Sequence, residues 1–199
     1  MTLWILCSGE ADFPWLDRYD AAGFDAACRA ALDGAPKPKG LKPLKFGARP
    51  VYVSTHPLGR ETAAALCPEG QLRSTPLLDE FLPCHTGERS MPLWYWRRIA
   101  SRAEKKAAAA RAEELIALLE QKDEDCVAVS HPAFITLLLD QLRHHGYCIT
   151  RSELGAIKPL ERIRITRRDM HCGGCQHNCL LSAPGCGVGR DKAARQNRH

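Results

Sequence analysis

The sequence predicts an α/β fold: a three-layer α/β/α domain with a mainly parallel sheet, followed by a short cysteine-rich tail. Two observations carry the fold class: short apolar segments alternate with longer amphipathic ones, and polar residues follow each apolar segment. The chain has 199 residues, of which 45% are hydrophobic and 26% charged, enough for one globular domain and an appendage. We therefore expect a domain over 1–169 and a tail over 170–199.

Four short apolar segments are predicted strands, because each is bounded by turn-forming or polar residues. The first ends at a Ser-Gly pair, and the third is the most apolar, as expected of a strand buried on both faces. The predicted strands are residues 3–6, 49–54, 126–130 and 163–166.

Four segments between these strands have helical character. Residues 17–32 place apolar side chains at helical spacing, and residues 97–121 are rich in alanine. Pro57 suits the first turn of a helix over 59–66, and a further helix runs to Leu142. The connection 33–50 is a basic loop rich in Pro, Gly and Lys, and 72–82 is extended or irregular.

Polar side chains follow three of the predicted strands. Ser8 comes after the first strand, His56 after the second and His131 after the third. The carboxyl ends of parallel strands meet at one edge of a sheet, where ligands bind. Taken singly, each residue is an ordinary polar group near a helix start; together they predict a site at this edge.

Four segments, in this order, resemble the histidine phosphatase superfamily, also called phosphoglycerate mutase-like, over residues 3 to 166. The segment 53–63, Val-Ser-Thr-His-Pro-Leu-Gly-Arg-Glu-Thr-Ala, is similar to the family's Ser-Pro-Leu-x-Arg-x-x-Thr-Ala, with one residue more between Ser and Pro. The segment 127–135, Val-Ala-Val-Ser-His-Pro-Ala-Phe-Ile, is similar to its Val-Ser-His-Gly-Gly-x-Ile strand. Weaker matches cover 20–26 and Leu-Asp-Glu at 78–80.

The resemblance implies roles for particular residues. The family's first strand ends in Arg-His-Gly-Glu, so Ser8 stands at the position of the nucleophilic histidine and Cys7 at that of a phosphate-binding arginine. Arg60 would be the remaining phosphate arginine, and His131 the second histidine of the phosphate pocket. Glu80 would be the acidic residue that donates a proton in the family's reaction. The catalytic positions are therefore Ser8, Glu80 and His131.

The change from Arg-His to Cys-Ser leaves three functions open. A serine hydroxyl needs an adjacent base to attack phosphorus, and losing the arginine removes a fixed charge and a bidentate donor. The first hypothesis is a pseudophosphatase that binds a phosphorylated ligand without phosphohistidine turnover. The second is an active phosphomonoesterase in which Ser8, Cys7 or His131 has become the nucleophile. The third is a docking module for protein or nucleic acid, built on the tail.

The tail carries four of the ten cysteines with the spacing Cys-x2-Cys-x3-Cys-x6-Cys. Four thiolates at this density suit tetrahedral Zn²⁺, and an iron–sulfur cluster is the alternative. So short a segment cannot bury a core, so the metal would fold it. The predicted ligands are Cys172, Cys175, Cys179 and Cys186.

The charge of the chain and its lack of recognisable targeting segments bear on its partners and its cellular compartment. The net charge is +5, with many of the arginines in the last forty residues. The resemblance implies a phosphorylated small molecule or phosphoprotein as partner; nucleic acid binding through the basic tail is the weaker expectation. We see no secretion signal and no apolar segment long enough to span a membrane, so we expect a cytoplasmic protein.

Overall fold

A computed structural model describes residues 1–81, 87, 89–96, 102–151 and 155–167. Its centre is a six-stranded sheet, formed by β1 (Thr2–Cys7), β3 (Pro50–Val53), β4 (Gln71–Ser74), β6 (Cys126–Ser130), β7 (Tyr147–Arg151) and β8 (Arg162–Arg167). The strand order in this sheet is β4-β3-β6-β1-β8-β7. A separate two-stranded sheet pairs β2 (Arg18–Tyr19) with β5 (Met91–Pro92).

The main sheet is mostly parallel, as the sequence predicts. β4, β3, β6 and β1 run parallel to one another, whereas β8 is antiparallel to both β1 and β7. All four predicted strands are confirmed within one or two residues at each end. β7 was not predicted.

Five α-helices are described: α1 (Ala21–Leu32), α2 (Pro57–Leu66), α3 (Leu93–Trp96), α4 (Arg102–Lys122) and α5 (Pro132–His144). Pro57 and Pro132 occupy the first turns of α2 and α5, where a missing N–H costs nothing. The helix predicted from residue 17 begins later, because Asp20 is its N-cap and accepts a 2.7 Å hydrogen bond from the Gly23 N–H. The predicted first residues of α4, 97–101, lie outside the described residues.

Helices cover both faces of the sheet, which confirms the three-layer architecture. On one face, Leu3 and Ile5 of β1 pack with α4 and α5, whose apolar stripes include Leu115 and Leu138. On the other face, Leu6 packs with the β3 and β6 valines and with the apolar stripe of α2. Each fully buried aliphatic side chain contributes about 1.5–3 kcal/mol relative to exposure. The packing on both faces stabilises the sheet and thereby positions the residues at its carboxyl edge.

Within the part of the chain that the structure describes, no helix is both long and apolar enough to cross a membrane.

Candidate functional site

Three neighbouring parallel strands deliver the site. β1 and β6 are paired so that Cys7 lies opposite Ser130, which places Ser8 and His131 side by side just beyond the strand ends. β3 pairs with β6 on its other side, and the Ser54 N–H donates to the Val129 carbonyl at 3.2 Å. The sheet order thus brings together residues that are more than seventy positions apart.

A chain of hydrogen bonds runs through these residues. Ser8 Oγ lies 3.0 Å from His131 Nδ1, and His131 Nε2 lies 3.1 Å from Ser54 Oγ. Ser54 Oγ donates in turn to Asp79 Oδ1 at 2.9 Å. The exposed fractions of Ser8, Ser54 and His131 are 2%, 0% and 1%, so the chain is closed to solvent up to Asp79.

Donor and acceptor counting fixes the direction of the chain. The Asp79 carboxylate only accepts, so Ser54 gives it its single hydroxyl proton. Ser54 Oγ must then accept from His131, which makes Nε2 the protonated ring nitrogen. Nδ1 is therefore bare and accepts the Ser8 hydroxyl proton. His131 is held in the tautomer of a base directed at Ser8.

His131 is neutral at physiological pH. Burial and, to a lesser extent, the His56 ring, 5.5 Å away between centroids, lower the pKa of His131 to about 3, while Asp79 acts in the opposite direction. A histidine adds a positive charge to a phosphate pocket only when both of its ring nitrogens are protonated. His131 therefore supplies a lone pair and a hydrogen bond here, and no charge.

Cys7 is a core residue. Its side chain is fully buried in the same cluster as Leu3 and Ile5. Burial, and to a lesser extent the nearby carboxylates of Glu80 and Glu161, raise the pKa of its thiol to about 12. Cys7 is therefore protonated, so it offers neither a thiolate nucleophile nor a positive charge at the position where the family has arginine.

Glu80 caps a helix. Its carboxyl oxygens accept from the Ala133 N–H at 3.1 Å and the Phe134 N–H at 2.9 Å, in the first turn of α5. Burial raises its pKa to about 7, against the lowering effect of these backbone donors. The carboxyl group predicted to donate a proton to a leaving group is thus engaged with backbone at the start of the helix that follows His131.

Arg60 lies on the outer side of the first turn of α2 and is exposed. Its guanidinium makes no hydrogen bond or ion pair with other residues that the structure describes. The buried side of this turn is Leu58, Gly59 and Thr62, and a β-carbon on Gly59 would lie 3.4 Å from His131 Nε2. The structure therefore brings Ser8 and His131 together but does not bring the Arg60 side chain into hydrogen-bonding contact with them.

The backbone N–H groups after β1 are also engaged. The Ser8 N–H donates to the Ser130 carbonyl at 2.7 Å, and the Gly9 N–H donates to Thr62 Oγ1 at 3.0 Å. Thr62 Oγ1 itself donates to the Leu58 carbonyl at 2.7 Å. Neither N–H is free to stabilise an oxyanion beside Ser8.

Sequence reasoning missed Ser54, Asp79 and Thr62 as members of the site. Asp79 accepts from the Thr55 N–H at 2.6 Å and the Thr55 hydroxyl at 2.7 Å as well as from Ser54. No local signal identified Asp79, because its partners Ser54 and Thr55 are 25 and 24 residues away in the sequence.

The predicted metal ligands Cys172, Cys175, Cys179 and Cys186 lie outside the described residues. Among the residues that are described, no group of three or more His, Cys, Asp or Glu side chains is arranged to hold a metal ion. Zinc or an iron–sulfur cluster in the tail stays a prediction.

Comparisons with known proteins give structural likeness only. No protein-family model matches the sequence, and no curated protein matches it. A mycobacterial glucosyl-3-phosphoglycerate phosphatase is similar at 17% identity and a TM-score of 0.49, over 82% of this chain and 88% of that one. The alpha-ribazole phosphatase of Shigella flexneri is similar at 18% identity and a TM-score of 0.44, over 71% and 79%.

A third similar structure is the ecdysone phosphate phosphatase of Bombix mori, at 14% identity and a TM-score of 0.44, covering 80% of this chain and 82% of that one. The function proposed below therefore rests on the residues of this chain.

Proposed function

We propose that this chain is a pseudophosphatase of the histidine phosphatase type, which binds a phosphorylated ligand without turning it over. One observation carries the proposal: the group at the nucleophile position, Ser8, donates a hydrogen bond to a buried and neutral His131. The same edge of the sheet that would hold a phosphoryl group instead holds a network whose hydrogen bonds are satisfied and which carries no positive charge.

The electrostatics of the edge support the absence of catalysis. Phosphoryl transfer is driven by positive groups placed around the transferring oxygens, and losing a single preorganised donor costs about 2.7–4 kcal/mol of transition-state stabilisation. Here Cys7 is a neutral thiol, His131 is uncharged and Arg60 faces outward. The burial of Ser8 also keeps an ester away from the hydroxyl in this closed state.

A phosphorylated small molecule or phosphoprotein is the ligand class we propose, in a reducing cytoplasm. Its phosphate would contact the exposed Arg60 and the half-buried His56 at the start of α2, where the helix dipole also favours an anion. Because so few cations would contact the phosphate dianion, we expect its affinity for this site to be low.

A second candidate is an active phosphomonoesterase with Ser8 as nucleophile. The observation that favours it is the bare Nδ1 of His131, 3.0 Å from the Ser8 hydroxyl, because an adjacent base is what a serine nucleophile requires. The relay to Ser54 and Asp79 would orient that base, as in other serine hydrolases. The engaged N–H groups of Ser8 and Gly9 weigh against this candidate.

Incubation with a generic aryl phosphate, followed by rapid denaturation and phosphopeptide mapping, tests both candidates. The pseudophosphatase predicts neither turnover nor covalent phosphate, together with saturable binding of phosphate that is weakened in Arg60→Gln. An acid-stable phosphoserine at Ser8, lost in Ser8→Ala and His131→Gln, would establish the second candidate. An acid-labile label on His131 would overturn both.

Restoring the family's Arg-His pair by Cys7→Arg with Ser8→His is a gain-of-activity test of the proposal. If the edge is a lapsed phosphate pocket, a double variant that folds should gain measurable hydrolysis, because the imidazole restores the family's nucleophile and the guanidinium restores a bidentate phosphate donor. A folded double variant without any hydrolysis would argue against a phosphatase ancestry of this site.

A further inference from the structure

An open groove lies over β8, on the face of the sheet opposite α4 and α5. Its volume is about 640 Å³. The residues that define it, called the basic groove below, are Trp4, Thr150, Arg151, Lys158, Arg162 and Arg164. It involves none of the residues discussed above as the candidate site.

The alternation of β8 produces this surface. Ile163 and Ile165 are fully buried in the core with α4 and α5, so Arg162 and Arg164 point to the other face and are exposed. In the sheet register Arg164 lies between Trp4 on β1 and Thr150 on β7, which puts all three on one face. The two arginines are two residues apart, about 7 Å along the strand.

The basic groove carries an excess of positive charge. Glu161 is the one carboxylate among its lining residues in the described chain, and it is bound bidentately by Arg151, at 2.8 and 3.1 Å. Arg162 and Arg164 make no ion pair with residues the structure describes, so their charges face solvent.

The loop 33–49 extends the positive surface along one side of the groove. Phe46 packs on Trp4 with 5.6 Å between ring centroids, and Gly40 lies so close to Leu160 that a β-carbon there would be 2.8 Å from Cδ1. These contacts fix the loop beside β8. The exposed lysines that it adds are Lys39, Lys42 and Lys45.

The floor of the groove has a stacking platform. The Arg164 guanidinium lies over the Trp4 ring, 5.9 Å from its centroid, and Trp4 is itself only partly buried. Nucleobases stack on aromatic rings and on guanidinium planes alike. The groove thus places a stacked guanidinium and indole beside a second exposed arginine, Arg162.

We propose that the basic groove binds single-stranded nucleic acid. A flexible phosphodiester strand alternates anionic phosphates with planar bases, and the Arg162, Arg164 and Trp4 arrangement matches both parts of that repeat. An anionic membrane is a poorer match for this surface. A protein that lies on a membrane projects apolar side chains into it, whereas Trp4 is partly buried on the floor of the groove. An acidic protein would use the cations but not the platform.

The decisive probe is a fluorescent oligothymidine of about twenty nucleotides, with oligouridine of the same length to separate DNA from RNA. Binding to the full chain is followed by anisotropy between about 50 and about 200 mM salt. Arg162→Glu with Arg164→Glu should raise the Kd at least about tenfold and flatten the salt slope by about 1.4, the share of two phosphate contacts.

The matched control is Lys105→Glu with Lys106→Glu, which makes the same charge change on exposed positions of α4, across the sheet. Its Kd should stay within about threefold of the wild-type value, because screened charges on the far face act weakly. Circular dichroism checks that both variants fold. Ultraviolet cross-linking of a bromodeoxyuridine oligonucleotide to the wild-type chain, mapped to the peptides containing Trp4 or Arg164, gives a readout that needs no variant.

Three results would overturn the proposal. The first is no binding at the lowest salt. The second is equal Kd values for the two double variants, with cross-links confined to the cysteine-rich tail. The third is charge-reversal-sensitive binding to phosphatidylserine vesicles or to polyglutamate, without binding to the oligonucleotides. Any of these results would show that the exposed arginines of β8 do not bind single-stranded nucleic acid.

Discussion

The Oγ of Ser8 and the Nδ1 of His131 lie 3.0 Å apart, in a hydrogen bond that is almost wholly buried and joins the ends of two neighbouring strands. A ligand that approaches either group must first break this bond. Because Ser54 and Asp79 satisfy the other side of the imidazole, the network is complete without a ligand. That completeness is what distinguishes this edge from a preorganised catalytic pocket, in which some donors await the substrate.

Ser54→Ala should destabilise the fold. Ser54 Oγ accepts from His131 Nε2 and from the His56 N–H and donates to Asp79, so its removal leaves buried polar groups without a partner. We expect a loss of about 1–3 kcal/mol in the free energy of unfolding, measured by urea denaturation.

Ser74→Ala is the control for Ser54→Ala, because Ser74 is exposed on the edge strand β4 and its loss should cost less than about 0.5 kcal/mol. Equal effects of the two substitutions would show that the relay contributes nothing to stability.

Acid should affect His131 and Glu80 with opposite signs. The folded pKa of His131 is about 3 against an ordinary value of 6.5, so below 6.5 the unfolded chain binds a proton that the folded chain does not. Its contribution lowers stability by about 1.4 kcal/mol per pH unit from about 6.5 down to about 3. The folded pKa of Glu80 is about 7 against 4.5, so in that interval the folded chain holds the extra proton and acid stabilises it.

The two contributions nearly cancel between about pH 4.5 and 6.5, and single variants separate them. Glu80→Gln removes the titration but keeps an acceptor oxygen for the Phe134 N–H, and the stability of this variant should begin to fall already below about pH 6.5. His131→Gln should instead gain stability as the pH drops from about 7 to 4.5. Urea denaturation across this range gives the slopes, and parallel pH profiles for both variants and the wild-type chain would contradict the assignment.

The sequence predicted the fold well where strands are buried on both faces. β1 contains five consecutive apolar residues and β6 four, a pattern typical of strands buried on both faces. β7 escaped prediction because Tyr147–Arg151 is an edge strand with mixed burial, and its apolar stretch is only three residues long. β2 and β5 are two residues long, too short for any periodicity.

The site was predicted in part. Ser8 and His131 follow their strands directly, so the strand assignment alone placed them at one edge. Asp79 is 25 residues from Ser54, and its role depends on the return of the chain through β4 and the 3₁₀-helix, which no local pattern encodes. For Arg60 the helical turn decides: one residue is a rotation of about 100°, which places Gly59 toward His131 and Arg60 toward solvent.

Thiol alkylation of the native chain should follow burial. Cys7, Cys67 and Cys126 are buried, and burial raises their pKa values to about 12, 11 and 12. We expect them to resist iodoacetamide at neutral pH, whereas the partly exposed Cys28 and Cys148 react. Peptide mapping by mass spectrometry reads each site separately, with the urea-unfolded chain as the reference for full reaction. Rapid labelling of Cys7 in the native chain would show that the edge opens.

The cysteine tail should hold one metal ion that the folded domain does not need. Four thiolates within fifteen residues predict a tetrahedral site. We expect the purified chain to be colourless and to contain stoichiometric zinc, by elemental analysis. Cys175→Ser should lower the metal content, and the matched control Cys148→Ser, in the folded domain, should not. Because the tail lies beyond β8, removing zinc with a chelator should leave the thermal unfolding of the domain unchanged. A brown chain with visible absorption would indicate an iron–sulfur cluster instead, and a metal content unaffected by Cys175→Ser would place the metal outside the tail.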